Sequence, residues 1–310
     1  MAKVLIIKLG YSETLDSEIG KVPSLGDVLR TTVVLHLFND AFVTWLVDER
    51  AYPFLKDNRC IARILVYNED LVSQIQSEQF DTIINFEKDP DICALSNLIK
   101  AKRRYGFRLD EKTGKSKYCE GSEDAFRICN DLKVKRHNKK YWQQVIMEVA
   151  GGEWNGQEYI LGYKPKTKLK CDVGLNWTVG AKWPNKAWPK ECWDKLAKLL
   201  EGHYTYSWQE GLNNVNEYIE WINSCRLVVT ADSLGQHIAV ALKRKVLILY
   251  GPTNPHETYL YGLGEKLLPE INYDCIPCLK NKCIYKKSCM YFITPERVAK
   301  EITVILGKKE

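Results

Sequence analysis

The sequence lacks the long apolar runs and the leader segment that mark membrane-spanning and exported proteins. No stretch of its 310 residues approaches the ~18 consecutive apolar residues that a membrane helix needs. The N-terminal segment MAKVLIIKLG runs directly into charged and turn-forming residues, without a signal-peptide core and cleavage site. We therefore expect a cytoplasmic protein that neither spans a membrane nor is exported.

Motifs of several common enzyme classes are also missing. No G-x-G-x-x-G follows the first apolar run and no G-x-x-x-x-G-K-[ST] occurs, which argues against a dinucleotide enzyme and a P-loop NTPase. The sequence contains no G-x-S-x-G, HExxH or EF-hand loop. Charge of one sign is not in large excess, because 45 Lys and Arg stand against 39 Asp and Glu, a net charge of +6. This balance permits binding to phosphates or anionic lipid without requiring either.

The residues that are present predict two α/β domains. Hydrophobic residues make up 45% of the chain and charged residues 27%, as in a globular protein of about two domains. Short apolar runs alternate with amphipathic segments, which is typical of doubly wound, mainly parallel sheets. The alternation pauses over the Gly- and Pro-containing segment 151–170 and then restarts. We predict an N-terminal domain over 1–155 and a C-terminal domain over 156–310.

Ligands of such sheets bind at the carboxyl ends of the strands, so functional side chains are expected in the loops there. Ser24 precedes the first long helix, predicted over 26–38, and can cap it, which places Asp27 in the first helical turn. A carboxylate at that position can act as a general base or can simply stabilise the helix end.

A second loop, 230–237 (TADSLGQH), lies between an apolar strand and a helix. Unpaired N–H groups of a first helical turn attract phosphate or diphosphate. His237 would either face the same ligand or pack as a core histidine. Lysines of the segment 182–189 (KWPNKAWP) can reach the same phosphates. A rigid turn is predicted at Tyr250-Gly251-Pro252-Thr253, after the strand that follows the 230–237 loop and its helix.

Together these loops resemble glycosyltransferase family 9, the bacterial heptosyltransferases. The resemblance rests on VLIIKL followed by GDVLRTT, on K-x-W-P before a helix, and on the block DSLGQHIAVALKRKVLILYGPT. It implies a GT-B fold, in which two Rossmann-like domains face each other across a cleft. It also implies an enzyme that transfers a heptose or a related sugar, with inversion, from an ADP-activated donor to the lipopolysaccharide core or another cell-surface glycan.

The resemblance assigns roles residue by residue. Asp27 matches the catalytic base and Lys186 matches a lysine that binds the donor phosphates. The donor-binding loop corresponds to Asp232, Ser233, Leu234, Gly235 and His237. No catalytic metal is implied. The chain departs from the family pattern at Leu234, where a glycine is usual, and in the insertion 11–23, which we interpret as an acceptor-side loop.

The cysteines fall into two groups. Seven of the 11 cysteines are scattered through ordinary segments and are expected to be buried reduced thiols. The other four form a C-x2-C-x4-C-x5-C pattern within 275–289: Cys275, Cys278, Cys283 and Cys289. Four thiolates at this spacing predict a structural zinc or iron site, with two disulfides or four free thiols as alternatives. The pattern is similar to the iron-binding cysteine finger of autotransporter heptosyltransferases.

Other functions stay open on the sequence alone. A heptosyltransferase of this kind could glycosylate protein, and a related GT-B protein could be a sugar-nucleotide epimerase. The Lys-rich cysteine segment could instead be a metal-finger module that binds nucleic acid or protein. For the leading interpretation we expect a nucleotide-sugar donor, a glycolipid or protein acceptor, no nucleic acid, and at most peripheral contact with the inner face of the bacterial inner membrane.

Overall fold

The structure, a computed structural model, describes residues 1–11, 22–211 and 213–307. The chain packs as two compact units, Met1–Tyr163 with Glu257–Tyr259 and Lys164–His256 with Leu260–Glu310. The division along the chain falls after Tyr163, within the segment 151–170 and beyond the boundary expected at 155. Most of the insertion 11–23 lies outside the described residues.

The first unit is built on a six-stranded sheet with the order β3-β2-β1-β4-β5-β6. The strands up to β5 pair in parallel, and β6 pairs antiparallel with β5. The central strand β1 is apolar throughout its second half and buried there, as expected for a parallel strand covered on both faces. The strands are β1 (Ala2–Ile7), β2 (Ala41–Val47), β3 (Arg63–Val66), β4 (Gln79–Asn85), β5 (Lys100–Asp110) and β6 (Lys115–Tyr118).

Helices connect these strands and follow the last of them. They are α1 (Leu25–Thr31), α2 (Tyr52–Leu55), α3 (Glu69–Gln76), α4 (Pro90–Leu98), α5 (Glu123–Asn130), α6 (Leu132–His137) and α7 (Trp142–Val149). The single helix expected over 26–38 is α1 followed by a 3-10 helix, Thr32–Leu37. β-branched residues at the start of that segment, such as Thr32 and Val33, have a low preference for the α-helix.

The basic segment around Arg103 and Arg104 is part of β5, and the turn-rich segment after it forms the β5–β6 hairpin. The sequence pattern did not predict this pairing. Charged residues occupy alternate and consecutive positions along β5, so its hydrophobic periodicity is weak. Arg104 donates hydrogen bonds to the backbone oxygens of Ser96 and Ile99, which makes it a packing residue.

The second unit contains an all-parallel sheet with the order β11-β10-β9-β7-β8. Its strands are β7 (Cys171–Asn176), β8 (Tyr206–Trp208), β9 (Cys225–Ala231), β10 (Lys245–Leu249) and β11 (Gly264–Leu267). Its helices are α8 (Lys190–Leu200), α9 (Val215–Asn223), α10 (Leu234–Ala241) and α11 (Pro295–Leu306). Short 3-10 helices lie at Pro184–Lys186, Pro255–Glu257 and Cys289–Phe292.

The core of the second unit lies between its sheet and helices α8 and α11. The four residues expected on the buried face of α8 are indeed buried: Trp193, Leu196, Ala197 and Leu200. Trp188 packs edge-on against Trp193 and donates its indole hydrogen bond to the oxygen of Ile293. The segment that precedes α8 is thereby fixed to the core. Among the described residues, no helix is long and apolar enough to cross a membrane.

Candidate functional site

The turn of Asp232 and Ser233 joins β9 to α10 at the carboxyl edge of the second sheet. Ser233 takes the N-cap position in an extended conformation, but its side chain accepts no hydrogen bond from the first helical turn. Its Oγ lies instead 3.1 Å from Thr230 Oγ1 and 3.2 Å from Asn176 Nδ2. The start of α10 is therefore left without a side-chain cap, as an anion-binding helix end requires.

Gly235 lies where α10 packs most closely against its neighbours. A Cβ atom there would lie 2.5 Å from Asn176 Nδ2 and 2.6 Å from the hydroxyl of Tyr218. These two side chains are themselves joined, because the Tyr218 hydroxyl donates to Asn176 Oδ1 over 2.6 Å. A larger residue at this position would force Asn176 or Tyr218 to move.

Lys186 and Asp232 form a largely buried ion pair. Lys186 Nζ lies 2.8 Å from Asp232 Oδ2, and the two side chains are 15% and 16% exposed. Gln236 donates its amide hydrogen bond to the other carboxylate oxygen. Burial acts to raise the pKa of Asp232, but the charge and hydrogen bond of Lys186 outweigh it and hold that pKa well below its usual range. The carboxylate is therefore ionised and holds the lysine beside the turn.

His237 belongs to the same polar cluster. It is buried, with its Nε2 3.2 Å from Nε2 of Gln236. Its charge also contributes to the low pKa of Asp232. The structure thus brings Lys186, Asp232 and His237 together, as the sequence predicted, although His237 is buried as a packed histidine would be.

The turn after β10 contributes a buried hydroxyl. Thr253 is 9% exposed, and its hydroxyl acts on Asp232 as a hydrogen-bond partner that helps to lower the pKa of that carboxyl. Met290 packs against the same turn, since a Cβ on Gly251 would lie 2.5 Å from Met290 Sδ.

Lys266 on β11 is a cation of this region that the sequence analysis did not identify. Its side chain is half-buried, its Nζ donates to the backbone oxygen of Pro255, and it lies 5.9 Å from the ring centre of Tyr250. Burial lowers the pKa of Lys266 to about 8, against the opposing charges of Asp232 and Glu265. An isolated lysine in a four-residue strand gives no motif, so only the fold reveals its position.

Asp27 lies in the first unit, in the first turn of α1. Its Oδ1 is 2.9 Å from the guanidinium of Arg30, and the two side chains are 15% and 10% exposed. The guanidinium stabilises the ionised carboxylate and stacks 4.9 Å above the ring of Trp142. Ser24 is the N-cap residue of α1, but its side chain accepts no capping hydrogen bond, so the predicted side-chain cap is wrong. The role of Asp27 as the base stays a prediction.

A buried ion pair supports the loop that leads to Asp27. Lys8 and Glu87 are each 1% exposed, with 3.4 Å between Nζ and Oε1. The same oxygen accepts hydrogen bonds from the backbone N–H groups of Leu9 and Gly10, over 2.8 and 3.0 Å. Gly10, at φ +97°, in turn accepts the backbone hydrogen bond of Ser24. Neither charged residue was a sequence candidate, because each is an isolated charge beside an apolar run.

The four clustered cysteines do not form the predicted metal site. The described residues contain no group of three or more His, Cys, Asp or Glu side chains placed to hold a metal ion, and all eleven cysteines are free thiols. Cys289 begins a 3-10 helix and packs into the core of the second unit. Cys278 Sγ lies instead 3.7 Å from Asn185 Nδ2.

Burial raises the pKa of Cys289 to about 11, and the neighbouring Cys278, Cys283 and Cys275 raise it further. The structure shows a buried core thiol beside three half-buried ones, and it does not support the predicted metal site.

Comparison with known proteins agrees with this geometry. A sequence model of glycosyltransferase family 9 (heptosyltransferase) matches residues 211–289. That segment contains the Asp232 turn, α10 and the turn after β10. That segment, about a quarter of the chain, matches glycosyltransferase family 9. The resemblance drawn from the sequence motifs is thereby confirmed, and it supports the expected glycosyltransferase.

One curated relative is lipopolysaccharide heptosyltransferase 1 of Pseudomonas aeruginosa. It is 26% identical over a region covering 44% of this chain and 50% of the relative. The chain therefore spans about half the length of this curated relative in the match.

Two solved structures share the fold of this chain. ADP-heptose lipopolysaccharide heptosyltransferase II of Escherichia coli superposes with a TM-score of 0.68 at 15% identity, with 98% of each chain covered. The iron-containing dodecameric glycosyltransferase TibC of enterotoxigenic E. coli gives a TM-score of 0.58 at 11% identity and covers 98% of this chain and 76% of its own. The predicted fold, two Rossmann-like domains of the GT-B type, is confirmed.

Proposed function

We propose that the protein is an inverting glycosyltransferase that transfers heptose or a related sugar from an ADP-activated donor. The acceptor is the lipopolysaccharide core or another cell-surface glycan. The observation that carries the proposal is the buried pair of Lys186 and Asp232 beside the uncapped start of α10. A lysine and free helical N–H groups at one place are suited to a diphosphate.

The donor half of the reaction belongs to the second unit. As the bond between the anomeric carbon and the diphosphate oxygen breaks, its electron pair and a negative charge pass to the leaving ADP. Lys186 and the first turn of α10 stabilise that charge. Asp232 keeps the lysine at the turn, because its carboxylate stays ionised.

The acceptor half is assigned to Asp27 of the first unit. Its carboxylate takes the proton of the acceptor hydroxyl while the oxygen of that hydroxyl bonds to the anomeric carbon. Attack from the side opposite the leaving group inverts the configuration. Arg30 forms an ion pair with Asp27 over 2.9 Å, and the Glu87-supported loop fixes the start of its helix.

A second acceptor class is supported by one comparison. TibC, whose fold this chain shares, is an iron-containing dodecamer, and the cysteine segment of this chain resembles that of autotransporter heptosyltransferases, which modify protein. A protein acceptor is therefore the alternative within the same donor chemistry. A lipid-linked glycan acceptor would require peripheral contact with the inner face of the inner membrane.

Nucleotide binding tests the donor. Thermal unfolding is measured with ADP, UDP, GDP and CDP for the wild type, for Lys186→Ala, and for Lys198→Ala as a matched control on the exposed face of α8. A ligand that binds the native state raises its melting temperature. We expect ADP to do so most strongly in the wild type and the control, and much less in Lys186→Ala. A wild type that responds to none of the four nucleotides would overturn the donor assignment.

Transfer assays then test the base. Asp27→Asn should lower the transfer rate from ADP-heptose by about 10²–10⁴-fold, the usual contribution of a general base, while ADP still raises its melting temperature. Asp131→Asn is the matched control, since Asp131 also lies at a helix N-terminus of the first unit. Transfer by Asp27→Asn at the wild-type rate would remove Asp27 as the base. Conversion of the donor sugar without any acceptor would indicate an epimerase.

A further inference from the structure

Two buried cysteines face each other at the start of two neighbouring strands of the second sheet. Cys171 is the first residue of β7 and Cys225 is the first residue of β9. The register of these parallel strands pairs the two residues directly, and their Sγ atoms lie 3.5 Å apart. The pair lies at the amino ends of the strands, whereas the Asp232 turn follows the carboxyl end of β9. The candidate donor site therefore does not account for it.

The strand pairing holds the two cysteines at a separation that a disulfide can span. Neighbouring strands lie about 4.8 Å apart, and the Cα atoms of disulfide-linked residues are usually about 4.4–6.8 Å apart. Gly174 of β7 leaves room for one of the sulfur atoms, because a Cβ there would lie 2.6 Å from Cys225 Sγ. The two sulfur atoms can therefore come within bonding distance by side-chain rotation, while the strands stay paired.

The two thiols differ in exposure and in acidity. Cys171 is 8% exposed and follows the exposed residues 168–170, whereas Cys225 is completely buried. The hydrogen bond between the sulfur atoms lowers the pKa of Cys171, against the opposing effect of its burial. The same contact, together with burial, raises the pKa of Cys225. Since the thiolate is the reactive form of cysteine, Cys171 is the thiol that attacks an external reagent and Cys225 is the thiol that follows.

We propose that Cys171 and Cys225 are a site of reversible oxidation and form a disulfide when the protein meets a small-molecule disulfide. The Cys171 thiolate attacks one sulfur of that reagent, whose S–S bond breaks and releases the first small thiol. The Cys225 sulfur then attacks Cys171 Sγ in the mixed disulfide and expels the second small thiol. The protons of the two cysteines pass to the two released thiols. Two protein thiols are thereby oxidised, and one external disulfide is reduced.

The disulfide would fix β7 to β9. It links residues 54 positions apart in the sequence, and a link across a loop of that length restricts the unfolded chain. The same two strands carry Asn176 and Thr230 near their carboxyl ends, where Asn176 Nδ2 donates to Thr230 Oγ1 over 2.7 Å. The bond thus stabilises the strand pair on which the candidate site is built. It does not depend on which donor, if any, the protein uses.

Oxidation of the native wild-type protein tests the inference. The reduced protein is incubated with oxidised glutathione without denaturant, the remaining thiols are blocked with iodoacetamide, and tryptic peptides are mapped by mass spectrometry. We expect a peptide pair that joins Cys171 to Cys225 and is lighter than the two reduced peptides by two hydrogen atoms. Dithiothreitol should separate the pair again. The inference is overturned if no such pair forms, or if oxidation stops at a glutathione adduct of Cys171.

Thermal unfolding separates this pair from the other cysteines of the chain. Oxidised and reduced forms are compared for the wild type, for Cys171→Ser, and for the control Cys129→Ser, which changes a buried cysteine of α5. Oxidation should raise the melting temperature by about 5 °C or more in the wild type and the control, and by about 1 °C or less in Cys171→Ser. Equal shifts in the wild type and Cys171→Ser, or no shift in the wild type, would overturn the inference. The peptide map uses the wild type alone, so it decides the question even where a variant folds poorly.

Discussion

Lys8 Nζ lies 3.4 Å from Glu87 Oε1 in the interior of the first unit, with 1% of each side chain exposed. The carboxylate also accepts the backbone hydrogen bonds of Leu9 and Gly10. It therefore joins the end of β1 to the end of β4, and through Gly10 it sets the entry to the Asp27 helix. Two buried charges are retained here where apolar residues would pack at lower desolvation cost.

We expect Glu87→Gln to lower the free energy of unfolding by about 3–5 kcal/mol, because it removes the carboxylate charge beside the buried ammonium group of Lys8. Urea unfolding at pH 7 measures the change. The matched control is Glu78→Gln, whose partner is Arg63 in a pair about one-third exposed; a pair of that exposure contributes about 1 kcal/mol or less.

The double variant Lys8→Met with Glu87→Gln separates the two explanations for such a loss. If the buried charge of Lys8 is the cause, the double variant should be more stable than Glu87→Gln alone. A Glu87→Gln protein that unfolds at the same urea concentration as Glu78→Gln would contradict the role of this pair.

Much of the fold follows from the sequence because its strands are short apolar runs. The run of β9, for example, is buried along most of its length. Strands of a parallel sheet are covered on both faces, so their sequences are nearly continuous hydrophobic runs. The β5–β6 hairpin was missed because Arg103 and its charged neighbours interrupt the apolar pattern. β11 was missed because four residues, one of them Lys266, are too few to show a period.

Some residues of the candidate site could likewise be predicted from the sequence, and others could not. Lys186 and Asp232 were predicted, and the structure brings them within 2.8 Å of each other, because both follow parallel strands of one sheet. Lys266 and Glu87 could not be found from local sequence, since their significance depends on contacts with distant segments. The failed four-cysteine prediction has a related cause: spacing does not reveal that Cys289 faces the core.

The ion pair of Asp232 predicts a pH dependence of stability. Its folded pKa is depressed below the unfolded value of about 3.9. The ionised carboxylate therefore contributes stability that is fully present above about pH 5 and is lost as pH falls below the unfolded pKa. We expect Asp232→Asn to be less stable than the wild type at pH 6, with the difference shrinking steadily from pH 5 to pH 3. Urea unfolding across this range measures both proteins.

Asp194→Asn serves as the control for the acid series, because Asp194 pairs with Lys190 on the exposed surface of α8. Its stability difference from the wild type should stay small throughout. A constant difference between Asp232→Asn and the wild type from pH 6 to pH 3 would show that the Asp232 pKa is not depressed.

The packing of Cys289 predicts unequal roles for the clustered cysteines. Cys289 is 5% exposed and contacts the core of the second unit, whereas Cys283 is half-buried in the loop. Cys289→Ser should lower the free energy of unfolding by about 1–3 kcal/mol, because it places a hydroxyl in an apolar environment. Cys283→Ser should change it by about 0.5 kcal/mol or less.

Urea unfolding of both variants, with and without a chelator, distinguishes this arrangement from a four-sulfur metal site. In such a site each cysteine would be a ligand, so both substitutions would destabilise the protein by similar amounts and the chelator would destabilise the wild type. Equal losses in the two variants together with chelator sensitivity would therefore refute the packing explanation.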